Sequence, residues 1–278
     1  MRRLEAVKTF AKAWLPPALT SLAARLLGGD STWAGDYRSW SAALLQCTGY
    51  HAAPILESVK AAAQKVKRGE AAYERDSVLF DAIEYSWPLL AGLLWIAARN
   101  GGRLDLLDFG GGLGTTFQQN RYFLADLAEV NWSIVEQPGF VACGKENFET
   151  ERLRFYDSIE ACLAARPSGT LLLSSTLQYL PDPYPFLEAA GPRFRFAILD
   201  LTPVHGGERD LLTIQTVPPS IHQARYPCWI FSEARLRAAL LRHWDTVADF
   251  DSHLGQDLRI GPVRARYRGF ILQRRAAP

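Results

Sequence analysis

The chain is short of several things, and each shortage narrows what it can be. It has four cysteines, Cys47, Cys143, Cys162 and Cys228, and no two form a CxxC pair. That spacing excludes a zinc-finger-like site and a secreted disulfide scaffold, and it points to a reducing, cytoplasmic compartment. No cluster of Asp and His stands at metal-ligand spacing, so no metal is expected. Net charge is only +2 over 278 residues, too little to argue for a nucleic-acid surface. No apolar run reaches the ~20 residues needed to span a bilayer, which argues against stable membrane insertion. No signal-peptide core with a small-residue cleavage site is visible. Repeats and low-complexity segments are absent as well. What remains is an ordinary globular composition, 48% hydrophobic and 22% charged, of a length that suits one large domain or a domain with an appendage.

The first 27 residues carry Arg2, Arg3, Lys8 and Lys12 among apolar side chains and are broken by Pro16-Pro17. They read as a helical appendage packed on the domain, with a basic amphipathic helix at a membrane surface as the alternative. Residues 31–52, rich in Trp, Tyr, Ser and Gly, read as loops and short helices. Residues 53–68 and 69–99 read as helices, the second broken or kinked near Trp87 because Pro88 follows it. The first 100 residues are therefore expected to form an N-terminal helical region on the lid or acceptor side of a site.

At residue 104 the pattern changes. Apolar runs at 104–109, 131–135, 153–155, 170–175 and 195–201 alternate with helical stretches at about 115–128, 138–148, 158–165 and 183–190. Such alternation produces a parallel sheet with helices on both faces, and ligands bind outside the carboxyl ends of its strands. Residues 202–231, with Pro203, Pro218, Pro219 and Pro227, read as a long ordered loop inserted in a domain spanning 101–278. A helix at 232–243 and two closing strands at 245–251 and 267–273 complete it.

The organising stretch is Asp108-Phe-Gly110-Gly111-Gly112-Leu-Gly114-Thr115. A buried strand ends in an acid, four glycines turn the chain, and a helix starts. Without Cβ atoms the backbone can be approached closely, and the helix offers free N–H groups to whatever occupies the turn. The dinucleotide fingerprint GxGxxG fails here: counted from Gly110 its third glycine is Thr115, and counted from Gly112 it is Phe117. This disfavours an NAD-dependent oxidoreductase. The pattern present is Asp108-x-Gly110-x-Gly112-x-Gly114. Glu136 ends the second strand, where a carboxylate accepts ribose hydroxyls and repels a phosphate. Asp157 follows the third strand.

These features resemble motif I and the adjoining strand ends of class I S-adenosylmethionine-dependent methyltransferases. The likeness extends to Trp33-Ala-Gly35-Asp-Tyr37, Tyr73-Glu74-Arg75-Asp76-Ser77, Tyr85-Ser86-Trp87-Pro88, Val135-Glu136-Gln137-Pro138 and Tyr226-Pro227-x-Trp229. Together they are similar to a bacterial group of such methyltransferases often encoded among surface-polysaccharide genes. Members commonly carry Asp-Arg-Thr-Pro after the fifth strand; here it is Asp200-Leu201-Thr202-Pro203. The resemblance implies a Rossmann-like seven-stranded sheet ending in an antiparallel pair. It also implies S-adenosyl-L-methionine as cofactor, held by Asp108, Gly110, Gly111, Gly112, Gly114, Glu136, Gln137, Asp157 and Ser175.

The acceptor expected by that analogy is a small molecule or a glycan-type hydroxyl, with a natural-product or lipid-linked acceptor as the first rival. A non-catalytic scaffold of the same fold is the second. Tyr85, Trp87, Tyr179, Tyr226 and Trp229 are candidates for acceptor contact. His205 and His222, both in the inserted segment, are candidates for the general base that hydroxyl methylation favours. His51, His243 and His253 read as structural or solvated. The oligomeric state is open.

Overall fold

The computed structural model describes residues 32–47, 53–75, 77–217, 224–254 and 257–275. The N-terminal basic segment and His222 lie outside them. No helix among the described residues is long and apolar enough to cross a membrane.

Strands β4 (Arg103–Phe109), β5 (Glu129–Val135), β6 (Leu153–Tyr156), β7 (Thr170–Ser174) and β8 (Phe196–His205) alternate with helices α4 (Thr115–Leu124), α5 (Pro138–Asn147), α6 (Ile159–Ala165) and α7 (Pro183–Ala190). After α8 (Glu233–Leu240) come β11 (Trp244–Asp251), β12 (Leu258–Ile260) and β13 (Val263–Arg274). β4 pairs in parallel with β5 and β7, β5 with β6, and β7 with β8. β13 then runs antiparallel between β8 and β11. The order β6-β5-β4-β7-β8-β13-β11 contains the parallel strands and the closing antiparallel pair that the sequence resemblance implies.

The alternation of strand residues builds two cores. Leu104, Leu106, Trp132, Ile134 and Ile198 face α4, α5 and α3 (Trp87–Arg99). Leu107, Leu171, Leu173, Leu199 and Leu272 face α6, α7 and α8. The parallel strands β4, β5, β7 and β8 are largely buried on both faces, which is why their sequence runs are nearly continuously apolar.

Two segments differ from the sequence reading. Residues 202–231 are not a loop. β8 continues to His205, β9 (Leu211–Val217) turns back, and β10 (Ala224–Ser232) pairs antiparallel with β9 and touches β8 in parallel at Val204 and His205. With β1 (Thr32–Ala34) on β9, they form a wing that extends the sheet to eleven strands. The prolines disguised it: Pro203 and Pro227 both lie inside strands, where a missing N–H is normally excluded.

Nor is 69–86 helical. β2 (Tyr73–Arg75) and β3 (Val78–Phe80) form a hairpin, with Ser77 in its turn at φ 69° and the rings of Tyr73 and Phe80 paired across the strands at 5.8 Å. The helical spacing seen in sequence loses to these β-favouring aromatics. Pro88 starts α3 rather than kinking it, because the first helical turn needs no amide hydrogen there. The segment before residue 101 is thus a mixture of α1 (Trp40–Leu44), α2 (Ala53–Lys67), α3, a hairpin and a strand of the main sheet.

Candidate functional site

A cavity of about 810 Å³ opens at the carboxyl ends of β4, β5 and β7, beside Asp200 and Leu201 in the middle of β8. Its floor is the glycine turn. The Gly110 amide donates to Val135 O at 2.9 Å and the Gly114 amide to Gly111 O at 3.0 Å. Gly110 and Gly112 have φ of 74° and 58°, conformations that side chains resist. A Cβ on Gly110 would lie 2.5 Å from Thr176 Cγ2, whereas one on Gly112 would meet nothing within 4 Å. The first glycine fits the protein to itself; the second leaves space for a ligand.

Gly110, Gly111, Gly112, Glu136, Gln137, Asp157 and Ser175 all line this cavity. Glu136 accepts from the amides of Gln137 and Gly112, and its burial raises its pKa above the ordinary value. Its carboxylate is therefore fixed by the turn itself.

Asp108 and Gly114 do not line it. Asp108 shares the strand face of Leu106 and lies beneath the turn, where its carboxylate accepts from Trp132 Nε1 at 3.0 Å. A Cβ on Gly111 would stand 2.5 Å from Asp108 Oδ2. Gly114, at φ 95°, brings the start of α4 against Leu153 instead. Both residues support the floor from behind.

Burial pushes Asp108 up to about 7 from 3.8, with Trp132 opposing and Glu136 adding to the rise. The folded chain thus keeps the proton up to about pH 7, while the unfolded chain releases it near 3.8. Stability from this group is complete below about pH 4 and is lost as pH climbs through 7, at up to about 1.4 kcal/mol per unit. Asp108→Asn removes that loss. Urea melts should show the variant gaining about 2–4 kcal/mol on the wild type between pH 4 and pH 8; a stability difference that does not change with pH would contradict the buried-acid account.

The far side of the cavity is built by β8, the hairpin and the wing. Asp200 lies midway along β8, opposite Ser174 at the end of β7. Its Oδ1 accepts from Leu201 N at 2.8 Å and Ser252 Oγ at 2.6 Å, and its Oδ2 accepts from Ser86 Oγ at 3.0 Å. Ser175 and Leu201 lie at positive φ, 54° and 50°, so the end of β7 and the middle of β8 both hold backbone in a region that side chains disfavour. Tyr179 donates to Gln215 Oε1 at 2.8 Å and meets Tyr226 edge-on at 5.2 Å. Both tyrosines line the cavity, as do Trp33 and Trp40.

Three predicted acceptor residues lie elsewhere. Tyr85 and Trp87 pack on Phe123 at the surface, with Trp87 60% exposed. Trp229 stacks behind Trp40 at 6.4 Å and donates to Leu180 O. Of the Tyr85-Ser86-Trp87 motif it is Ser86 that faces the cavity. Glu74 is a further lining residue that sequence reading passed over: it is buried, and Thr115 Oγ1 donates to its Oε1.

His205 is also displaced. Its Nδ1 accepts from Gly207 N at 3.1 Å and its Nε2 bonds Arg209 O at 2.9 Å. Both nitrogens are committed to the β8–β9 turn, and the ring is not in the cavity wall. Among the described residues, the histidine that lines the cavity is His253, read from sequence as structural or solvated.

No family model and no curated relative matches the chain. Among solved structures it is similar to the N-terminal domain of EvdMO1 with SAH bound, at 12% identity, TM-score 0.48, covering 79% of this chain and 97% of that one. It is also similar to LepI in complex with SAM, at 11% identity and TM-score 0.44, over 68% of this chain and 47% of that one. A third is the PH0226 protein from Pyrococcus horikoshii OT3, at 8% identity and TM-score 0.40, over 68% and 91%. At these values the likeness is one of outline.

Proposed function

We propose that this chain is a class I S-adenosylmethionine-dependent methyltransferase acting on a hydroxyl of a small-molecule or glycan-type acceptor. One observation carries the reading: a half-buried, amide-fixed carboxylate, Glu136, stands beside an open glycine, Gly112, on the floor of a cavity at the switch point of this strand order. In this reading Glu136 accepts the ribose hydroxyls. Asp157 and Gln137 lie toward the adenine, and Gly110 to Gly112 and Ser175 surround the remainder. When bound, the cofactor supplies an already activated methyl group.

The protein's share is then to position the acceptor, to exclude water and to take up a proton. Trp33, Trp40, Tyr179 and Tyr226, with Gln215 between them, give an aromatic wall with a polar contact, suited to a ring that carries hydroxyls. The wing and the segment before residue 101 frame that side of the site. The sequence resemblance favours a surface-polysaccharide setting, and the four free thiols favour a reducing, cytoplasmic compartment.

Calorimetric titration tests the cofactor assignment. S-adenosylhomocysteine should bind saturably in the micromolar range and NADH should give no heat of binding. A chain that binds neither, or prefers NADH, is not this enzyme.

A further inference from the structure

The wing turns one row of side chains toward the cavity. Trp33 of β1 stands opposite Gln215 of β9, and Gln215 stands opposite Tyr226 of β10. Directly opposed residues of antiparallel strands share a face. The three therefore lie side by side as ring, amide and ring, and all three line the cavity. Tyr179 joins them from the short helical turn Leu177–Tyr179. It meets the Tyr226 ring edge-on, and its hydroxyl donates to Gln215 Oε1 at 2.8 Å.

That bond decides what the amide offers. A carboxamide has one accepting oxygen and one nitrogen with two hydrogens to donate. Tyr179 engages the oxygen, so the nitrogen is the end left for a ligand. Among the described residues Nε2 has no hydrogen-bond partner, and it keeps accessible surface, unlike the sealed ring nitrogens of His253. Gln215 as a whole is only 7% exposed. Its donors thus stand in a wall of rings that holds little water, where an unmet N–H is costly and a ligand's hydrogen bond is strong. A tie between Tyr179 and the wing accounts for the engaged oxygen. It does not account for two open donors between aromatic side chains on a cavity wall, since amides this deep are nearly always paired.

Resting on the methyltransferase reading, we propose that Gln215 is the residue that recognises the acceptor, and that the acceptor is a neutral, oxygen-bearing ring of pyranose shape. Trp33, Tyr226 and Tyr179 take the C–H faces of that ring, and Gln215 Nε2 donates to one of its oxygens. The same geometry sets a choice. A hydroxyl, ether or carbonyl oxygen has lone pairs for the two N–H groups, whereas an ammonium in its place sets donors against donors. Tyr179 is a positioning residue that acts through Gln215: by holding Oε1 it fixes which end of the amide meets the ligand. Without the Tyr179 hydroxyl the amide is free to turn, and its oxygen then serves an ammonium equally well.

Two probes test this in place of the acceptor. Cyclohexanol is a neutral ring with one oxygen, and cyclohexylammonium is the same ring with a donor-only group. The full chain, labelled with nitrogen-15 and saturated with S-adenosylhomocysteine, is titrated with each while the side-chain amide signals are followed by NMR. Gln215→Leu assigns the Gln215 pair by its loss; should that variant fail to fold, Gln215→Glu, which keeps the shape, assigns it in the same way. Cyclohexanol should move the Gln215 pair saturably, and cyclohexylammonium should bind about tenfold more weakly or worse. In Tyr179→Phe that preference should disappear. A purely structural tie between Tyr179 and the wing predicts instead that both probes weaken together with the preference kept.

Equal binding of the two probes by the wild type, or Gln215 signals that neither probe moves, overturns the inference and leaves the cofactor reading intact. A preference that survives in Tyr179→Phe overturns the amide's orientation as its source. A chain that does not bind S-adenosylhomocysteine removes the cofactor reading itself, and this inference with it.

Discussion

Glu136→Ala should weaken S-adenosylhomocysteine binding by about 1–3 kcal/mol, roughly 5- to 150-fold, without unfolding the chain. The carboxylate is mostly buried, its pKa is raised by that burial, and amides of Gln137 and Gly112 hold it in place. A group that bears the desolvation of a charge while facing a cavity gains most when ligand hydroxyls replace the lost water. Truncation leaves ribose hydroxyls with no acceptor inside the protein, and the loss of an unmatched buried partner sets the size of the effect. Glu136→Gln keeps one acceptor oxygen and should fall between. Fold integrity is read from the melting transition, affinity from calorimetry. Unchanged affinity in a folded Glu136→Ala variant would remove ribose recognition from this residue and shift the site toward β7.

The glycine turn should split into two kinds of position. Gly110→Val places a branched side chain at φ 74°, with its Cβ 2.5 Å from Thr176 Cγ2. The backbone strain costs about 1–2 kcal/mol and the overpacking about 1–3 more, a large part of the 5–15 kcal/mol that typically holds a domain together. The expected result is a melting midpoint in urea displaced far below wild type, or insoluble protein. Gly112→Ala differs. Its Cβ meets nothing within 4 Å, so the cost is that of alanine at φ 58°, about 1 kcal/mol. The methyl group instead occupies ligand space. That variant should fold, melt slightly below wild type, and bind S-adenosylhomocysteine at least tenfold more weakly. If both variants lose stability alike and binding follows stability, the turn is structural only.

The parallel half of the fold was legible because its physics is local. Strands buried on both faces read as apolar runs, and the run from Leu104 to Gly114 marks strand, turn and helix by composition alone. Glu136 and Asp157 follow the ends of β5 and β6 and line the cavity, positions that strand counting reaches wherever the sheet is parallel.

The antiparallel wing was not legible. Its edge strand β1 at residues 32–34 pairs with β9 at 211–217, far apart in sequence, and Pro203 and Pro227 argued locally against strands. Asp108 looked like a ligand because it ends a strand, but side chains alternate along β4, and its register sends it beneath the turn to Trp132. Ser86 was hidden between two aromatics that seemed better suited to a ligand. His205 lies outside the cavity wall and His253 lines it, for a reason no spacing reveals. Gly207 and Arg209 satisfy the first ring, and no described residue satisfies the second.

The central claim is that the cavity above Gly112 and Glu136 is a methyl-donor site. The measurement that bears on it most directly is titration of the full wild-type chain with S-adenosylhomocysteine, with NADH as the control. The account predicts one saturable site in the micromolar range for the first and no binding of the second; a folded chain that takes up no S-adenosylhomocysteine would contradict it.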